Sequence, residues 1–383
     1  MVKKAVDFDL TDAQKALRDK VSELATREIA PHAAAIDREQ RFPREAVAQL
    51  GKQGALGISV PAALGGLGLD AVAASLVIEE LASACASTAA IVGLHNLLVC
   101  EPIARFGSET QRKVWLPALA SGSKLGSFAL TEPDGADGSA LATVARKEAD
   151  GWVLRGTKIF VTPSPYAQVA LVIACLQPGD HSGPAAFIVP TDAVGVSFGP
   201  AYQTMGLRGA LRSTMTLDDV HLPAGALLGG ESVGREILRF AREGGSVVAA
   251  ALALGIGRAA FTAATHYALS RRTNGQPISD HQTVQFKIAD MSTYLDAARL
   301  LTWRAAASRA ARVSTGAQAS MAKLIASEAA TRVASDAVQI LGGNGCLTDY
   351  PVERHFRDAK VCEIYEGSSE IHRLGIASDL LKE

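Results

Sequence analysis

The pattern of apolar residues changes twice along the 383-residue chain, and this order limits the possible folds more than any single motif does. Residues 1–124 show helical periodicity, which begins with a capping box at Thr11-Asp12-Ala13-Gln14. Residues 125–232 contain short apolar runs rich in β-branched residues, separated by Gly, Pro and Asp. Residues 233–383 return to helical periodicity in long segments rich in Ala and Leu, near 235–270, 281–311 and 317–341.

Because helices and strands are segregated along the chain, the sequence predicts an α+β protein of three domains. An N-terminal helical domain (1–124) is expected to precede a central antiparallel β-domain (125–232), since strands without intervening helices favour a sandwich or barrel. The C-terminal part (233–383) is expected to form a four-helix bundle, because its long apolar helices carry charges on one face.

Composition argues against several classes of protein. The net charge of −1 gives no electrostatic footprint for nucleic acid or acidic membranes. The five cysteines are odd in number and contain no CxxC pair, which argues against a disulfide framework or a metal site and favours a reducing, cytoplasmic compartment. The first ten residues lack the apolar core of a secretion signal. The apolar run 247–257 is short and rich in Gly and Ala, so we expect a buried helix and no membrane insertion.

Six short motifs follow one another along the chain. They are Leu-Thr-Glu-Pro (130–133), Gly-Thr-Lys-Ile-Phe-Val-Thr (156–162), Met-Gly-Leu-Arg-Gly (205–209), Arg-Arg-Thr (271–273), Gln-Ile-Leu-Gly-Gly-Asn-Gly (339–345) and Tyr-Glu-Gly (365–367). Each alone is weak, because strings this short recur by chance. In this order and at these distances, the chain resembles the acyl-CoA dehydrogenase family over nearly its whole length.

The resemblance implies an FAD enzyme of fatty acid metabolism that dehydrogenates a short- or medium-chain acyl-CoA between Cα and Cβ. Glu366 matches the base that removes the Cα proton, while hydride passes from Cβ to flavin N5. A base placed beside an aromatic residue and a glycine suits this role, since burial raises the pKa of a carboxylate. Tyr365, Gly367 and Gly245 match substrate-lining positions, and the usual electron acceptor is a soluble electron-transferring flavoprotein.

The resemblance also places the FAD. Phe128, Leu130, Thr131, Phe160 and Thr162 match flavin contacts, and Ser368 and Glu370 match adenosine-side contacts. Arg271 matches an arginine that reaches the FAD pyrophosphate of a neighbouring subunit, and Gln282, Gln339, Gly342 and Gly343 match further positions for the ADP half. Cross-subunit binding implies a homodimer or a homotetramer. The Gly255-Ile256-Gly257 segment lacks the third glycine and the preceding strand of a Rossmann fingerprint.

Some positions depart from the family pattern and leave alternatives open. Loop 134–139 differs on the CoA side, Gly244-Gly245 replaces an arginine region on the long helix, and Ala210, Arg212 and Asn274 stand where other residues are common. Glu243 is a rival to Glu366, because some members carry the base on the long helix. A carrier-protein-tethered acyl substrate, a low-turnover flavin-binding or nucleic-acid-binding member, and a desulfinase or oxidase are the alternatives. His95 falls where the N-terminal domain of the family lines the acyl pocket, and a structural role explains this histidine equally well.

Overall fold

The computed structural model describes residues 10–135, 141–177, 183–313 and 316–381. The predicted capping box begins the first helix: the Gln14 N–H donates to Thr11 Oγ1 (3.2 Å), and the Thr11 N–H donates to Gln14 Oε1 (3.0 Å). The N-terminal helices are α1 (Asp12–Leu24), α2 (Ala33–Glu39), α3 (Arg44–Lys52), α4 (Ala71–Ala84), α5 (Ala86–Leu94), α6 (Glu101–Phe106) and α7 (Glu109–Ser121), with π-helical turns at Ala25–Ile29 and His95–Cys100.

A single sheet forms the central domain, and its strand order is β6-β7-β3-β2-β4-β5-β8, with β1 paired to β4. Most neighbours are antiparallel, as predicted, but β4 runs parallel to both β1 and β2, so the sheet is mixed. The strands are β1 (Gly126–Ala129), β2 (Val144–Glu148), β3 (Gly151–Val161), β4 (Val169–Gln177), β5 (Pro184–Pro190), β6 (Val196–Phe198), β7 (Ser213–Pro223) and β8 (Leu227–Leu228).

Five helices form the C-terminal bundle. The longest, α8, is enclosed by helices of both helical domains, and one continuous apolar core joins these domains. The bundle consists of α8 (Gly234–Ser270), α9 (Gln282–Ala310), α10 (Gly316–Leu341), α11 (Val352–Cys362) and α12 (Ser369–Leu380), with a short hairpin of β9 (Arg272–Thr273) and β10 (Gln276–Pro277) after α8. The three long helices of the C-terminal part thus lie where the periodicity predicted them, and the α+β class is confirmed.

Among the residues that the structure describes, two helical stretches are long and apolar enough to cross a membrane. They are Ala86–Phe106 and Gly234–Ser270, and 94% and 72% of their most apolar windows are buried inside the protein. Packing against the rest of the protein therefore accounts for their composition, in agreement with the buried helix expected at 247–257.

The departure at Asn274 has a local explanation. Asn274 and Gly275 join β9 to β10 and have positive φ values of 51° and 86°. A two-residue hairpin loop needs positive φ at both positions, and Asn-Gly is the pair that adopts it most readily. The turn type therefore selects Asn274.

The Met-Gly-Leu-Arg-Gly segment joins the three domains. The Leu207 N–H donates to Asp358 Oδ1 of α11 (2.6 Å), and a Cβ on Gly206 would lie 2.5 Å from the Arg357 carbonyl oxygen. On the other side, a Cβ on Gly209 would lie 2.3 Å from a methyl group of Ile36 in α2. Glycine is required where backbone approaches this closely, so the segment acts as a packing element between domains.

Candidate active site

Glu366 lies in the turn between α11 and α12 and has a left-handed backbone conformation, with φ of 57°, followed by Gly367 at φ of 99°. Few residues other than glycine adopt positive φ, and such conformations persist only where surrounding contacts hold them. The Ser369 N–H donates to the Glu363 carbonyl oxygen (3.1 Å), and Ser368 caps α12. The turn directs the Glu366 side chain towards α8.

Gly245 of α8 makes room for the carboxylate. A Cβ at this position would lie 2.0 Å from Glu366 Oε2 and 2.8 Å from Cδ, well inside van der Waals contact. Glycine at this position of the helix therefore has a packing reason, because only glycine permits the carboxylate to lie against the helix. At the next position, a Cβ on Gly244 would lie 2.9 Å from Arg309 Nη2.

Glu243 does not occupy the position that faces this carboxylate. It precedes Gly245 by two residues, which is about 200° around an α-helix. Its side chain is almost fully buried and accepts a hydrogen bond from Arg239 Nη1 (2.9 Å). The structure therefore corrects the rival assignment, because the α8 position opposite Glu366 is a glycine.

The environment of Glu366 favours a base that works near neutral pH. Burial raises its pKa to about 7, while the positive charges of Lys323 and Arg242 act in the opposite direction. The Tyr365 hydroxyl beside it is buried and has no hydrogen-bond partner within the described residues. Burial raises the pKa of Tyr365, so its hydroxyl stays protonated and able to donate.

Two residues that the sequence analysis missed contact the backbone of the Glu366 turn. Lys323 of α10 is fully buried and donates to the carbonyl oxygens of Glu363 (2.9 Å) and Gly367. His372 of α12 places Nε2 at 3.1 Å from the Glu366 carbonyl oxygen. The available signal was a lysine on an otherwise apolar helix face, since Ala319, Ala326 and Ala330 lie on the same side of α10.

The predicted flavin contacts of the β-domain lie together at the ends of β1 and β3. Phe128 and Thr162 form an isolated β-bridge, and the Ile159 N–H donates to the Thr131 carbonyl oxygen (2.9 Å). Leu130, between these contacts, accepts a hydrogen bond at its carbonyl oxygen (3.0 Å) from Lys158 Nζ. These contacts bring Phe128, Leu130 and Thr131 beside Phe160 and Thr162.

Phe160 presents an accessible ring at this place. Its φ is 56°, its side chain is 56% exposed, and its ring centroid lies 5.2 Å from that of Tyr202. The Thr162 hydroxyl donates to the Phe160 carbonyl oxygen (3.2 Å), so its oxygen remains an acceptor for a ligand. An exposed aromatic ring with hydroxyls beside it fits the isoalloxazine of a flavin.

A buried ion pair, also missed by the sequence analysis, joins the two flavin-side motifs. Lys158 Nζ lies 2.6 Å from Glu132 Oε1, and both side chains are almost inaccessible to solvent. Burial lowers the pKa of Lys158 to about 8. Burial opposes ionisation of Glu132 as well, but hydrogen bonds from Lys158, Thr143 and Ala142 outweigh it and lower the pKa of Glu132. The pair fixes the loop after β1 against β3.

The residues predicted to bind the ADP half of FAD form a separate group at the far end of the bundle. They are exposed, and the Asn344 amide joins the ends of α8 and α10 by donating to the Tyr267 hydroxyl (2.9 Å). A Cβ on Gly342 or Gly343 would meet nothing within 4 Å, so a ligand has open access to this backbone. The group comprises Arg271, Gln282, Gln339, Gly342 and Gly343.

This group lies far along α8 from the Glu366 carboxylate. Gly245 and Arg271 are 26 residues apart on this helix, which corresponds to about 39 Å. The accessible ring of Phe160 and the open Gly342-Gly343 backbone are places where FAD could contact the protein. Glu370 is exposed after the turn, beside Ser368, which lowers its pKa by a hydrogen bond.

Loop 134–139 and Arg212 also depart from the family pattern. Residues 136–139 of the 134–139 loop lie outside the described residues. Arg212 is partly buried beside Tyr365 and Asp358, and its Nη2 donates to the Leu207 carbonyl oxygen (3.4 Å). Its charge therefore faces the protein interior behind the Glu366 turn.

Comparison with known proteins identifies the class. Family profiles for the acyl-CoA dehydrogenase N-terminal, middle and C-terminal domains match residues 11–123, 127–220 and 238–381. The human mitochondrial short-chain specific acyl-CoA dehydrogenase is 41% identical over 376 residues, covering 98% of this chain and 91% of that protein. The structure of butyryl-CoA dehydrogenase from Megasphaera elsdenii superposes with a TM-score of 0.94 at 34% identity, covering 98% of this chain and 100% of the other.

A carrier-protein enzyme is also similar. The prolyl acyl carrier protein oxidase AnaB superposes with a TM-score of 0.92 at 29% identity, covering 98% of this chain and 100% of the other. The fold and the carboxylate held against a helical glycine define a flavin-dependent oxidoreductase that acts on CH–CH bonds. The chain belongs to the acyl-CoA dehydrogenase family, as the sequence motifs predicted.

Proposed function

We propose that the protein dehydrogenates a short- or medium-chain acyl-CoA between Cα and Cβ, with Glu366 as the base. The observation that carries this proposal is the carboxylate with a pKa near 7 held against Gly245. A base is most effective when its pKa lies near the working pH. The similarity to short-chain specific and butyryl-CoA dehydrogenases supports a substrate with a short acyl chain.

Different groups of the turn have different roles in forming the enolate. Glu366 Oε2 takes the Cα proton, while the Tyr365 ring covers the acyl chain and excludes water. The N–H groups of Ile364 and Tyr365 donate to the Val361 carbonyl oxygen. The resemblance to the family implies that the Glu366 N–H would donate to the thioester carbonyl oxygen. A donor aimed at this oxygen stabilises the negative charge that develops there. Bound FAD supplies the acceptor for the hydride from Cβ.

Two subunits would hold each FAD. Phe128, Leu130, Thr131, Phe160 and Thr162 of one subunit would hold the flavin. The group around Arg271 would hold the ADP half of the neighbour's FAD, because it lies about 39 Å along α8 from Gly245. An arginine fork suits the oxygens of a pyrophosphate. A homodimer or homotetramer is therefore the expected functional form.

We propose a soluble electron-transferring flavoprotein as the partner that would accept electrons from bound FAD. This relationship is one that the family supports. All five cysteines are free thiols, which accords with a reducing compartment, and we propose the cytoplasm.

A carrier-protein-tethered acyl substrate is the second candidate, and the similarity to AnaB favours it. The two candidates share the acyl group and differ in what lies beyond the thioester. Rates of flavin reduction by butyryl-CoA and by the same acyl group on a pantetheinyl carrier protein separate them. A strong preference for the carrier form would replace the CoA assignment.

Anaerobic titration of the FAD-loaded enzyme tests the proposed reaction. Stoichiometric bleaching of the flavin absorbance is expected with at least one acyl-CoA of a series from butyryl-CoA to palmitoyl-CoA. An enzyme that binds FAD but is bleached by none of them, and by no carrier-bound acyl group, would be a flavin-binding member with little turnover. That outcome would refute the proposal.

A further inference from the structure

The turn that carries Glu366 has an unusual requirement for hydrogen-bond donors. Its left-handed residues Glu366 and Gly367 turn their carbonyl groups into the bundle, and buried carbonyl groups need donors. Lys323 donates to the Glu363 and Gly367 carbonyl oxygens, and His372 Nε2 contacts the Glu366 carbonyl oxygen (3.1 Å). Side chains from two helices thus hold three carbonyl groups of one short turn.

The ammonium group of Lys323 is buried, and within the described residues no carboxylate pairs with it to account for that burial. Within the part of the chain that the structure describes, its ammonium group forms no salt bridge, and its hydrogen bonds are to backbone oxygens. The nearby Glu363 carboxylate accepts from the more exposed Lys360 instead (2.7 Å). Burying a cation without a paired carboxylate is unfavourable, so its placement needs another explanation.

His372 contacts the turn as a neutral donor. Burial lowers its pKa to about 4, so at neutral pH its ring carries one proton, and a carbonyl partner places that proton on Nε2. A Cβ on Gly367 would lie 3.0 Å from His372 Nε2, so the glycine lets the ring approach the backbone. The ring therefore contacts the backbone of the turn directly.

We propose that Lys323 and His372 are positioning residues for the base, which hold the left-handed turn so that the Glu366 carboxylate lies against Gly245. Lys323 has a second effect, because its charge favours the ionised base. This inference rests on the proposed role of Glu366. It adds two residues that contact the backbone of the turn and thereby determine where the proton acceptor lies.

The charges around the base define the expected electrostatic effect. Burial lowers the pKa of Lys323 to about 8, and the surrounding Cys362, Glu363, Glu366 and Glu370 raise it, so it is mostly protonated at pH 7. Glu366 itself faces Lys323 from α10 and Arg242 from α8, with the neutral Tyr365 and His372 alongside. Removing the Lys323 charge should therefore raise the pKa of Glu366.

The main test replaces Lys323 by Met in the FAD-loaded enzyme, which keeps the length of the side chain and removes the charge and the donors. Flavin reduction by butyryl-CoA is expected to slow about tenfold or more, because a displaced base loses its alignment, with little change in substrate affinity. The pKa of Glu366, followed by infrared difference spectroscopy without substrate, is expected to move upward. Lys360→Met is the matched control and should behave as wild type in both measurements.

Two His372 variants keep the inference testable if Lys323→Met does not fold. His372→Gln retains an N–H donor and should stay within about threefold of the wild-type rate, whereas His372→Leu should be about tenfold slower. Equal rates for both, or a wild-type rate and unmoved Glu366 pKa in Lys323→Met, would overturn the inference. Failure of every acyl-CoA to reduce the wild-type flavin would instead refute the proposed function. The two failures can be distinguished, because the infrared titration of Glu366 does not depend on turnover.

Discussion

Replacement of Gly245 by Ala should separate helix stability from catalysis. The new methyl group would lie 2.0 Å from Glu366 Oε2, whereas unbonded carbon and oxygen atoms need more than about 3 Å. The carboxylate must therefore move by about 1 Å or more. A displacement of this size at a reacting group lowers rates by about 100-fold, and we expect this loss in the rate of flavin reduction.

The same substitution should not destabilise the protein through the helix itself. Gly in a helix interior is less favourable than Ala by about 1 kcal/mol, so the variant is expected to unfold at a similar or higher urea concentration. Gly316→Ala is the matched control, because its Cβ would meet only Asp379 Oδ2, at 3.8 Å. Stopped-flow reduction by butyryl-CoA under anaerobic conditions measures the catalytic step, and FAD absorbance measures loading.

A Gly245→Ala enzyme with full FAD content and a flavin reduction rate within about twofold of wild type would contradict the expected displacement of the Glu366 carboxylate. Such a rate would mean that the carboxylate does not lie against α8 during the reaction. A slow Gly316→Ala control would equally remove the link between the rate and the contact with Glu366.

Three further outcomes follow from the described contacts. Because Glu366 must be ionised to accept a proton, kcat/KM should rise with pH through about 7, and a limb near the ordinary carboxyl value would contradict its buried environment. Glu132→Gln leaves Lys158 as an unpaired buried cation and should lower the free energy of unfolding by about 3–5 kcal/mol in urea melts; a loss below about 1 kcal/mol would contradict the pairing. Arg271→Ala should lower FAD occupancy on gel filtration more than Arg272→Ala does, and equal occupancy would place Arg271 in solvent.

Much of the fold could be predicted because the apolar period changes with the secondary structure. The helical segments at 235–270, 281–311 and 317–341 correspond to α8, α9 and α10, since each buries a continuous apolar face. The direction of strand pairing could not be predicted in the same way. The apolar run of β4 is buried whether its neighbours run parallel or antiparallel to it. Its parallel pairing with β1 and β2 depends on the path of the chain segments that connect these strands.

Site residues that lie within one sequence motif could be predicted, whereas residues that are brought together by the packing of several helices could not. Glu366 follows from its own motif, and Gly245 follows from its match to a substrate-lining position of the family. Lys323 precedes Glu366 by 43 residues, and only the packing of α10 beneath the turn brings them together. The rotation of α8 also excludes Glu243, which sequence spacing alone left as a rival base.

Anaerobic flavin reduction by the Glu366→Gln variant shows whether Glu366 is the base. The substitution keeps the size of the side chain and removes its ability to accept the Cα proton. We expect a yellow protein with wild-type FAD content whose flavin stays oxidised when butyryl-CoA is added. Reduction of that flavin at the wild-type rate would contradict the assignment of Glu366 as the base.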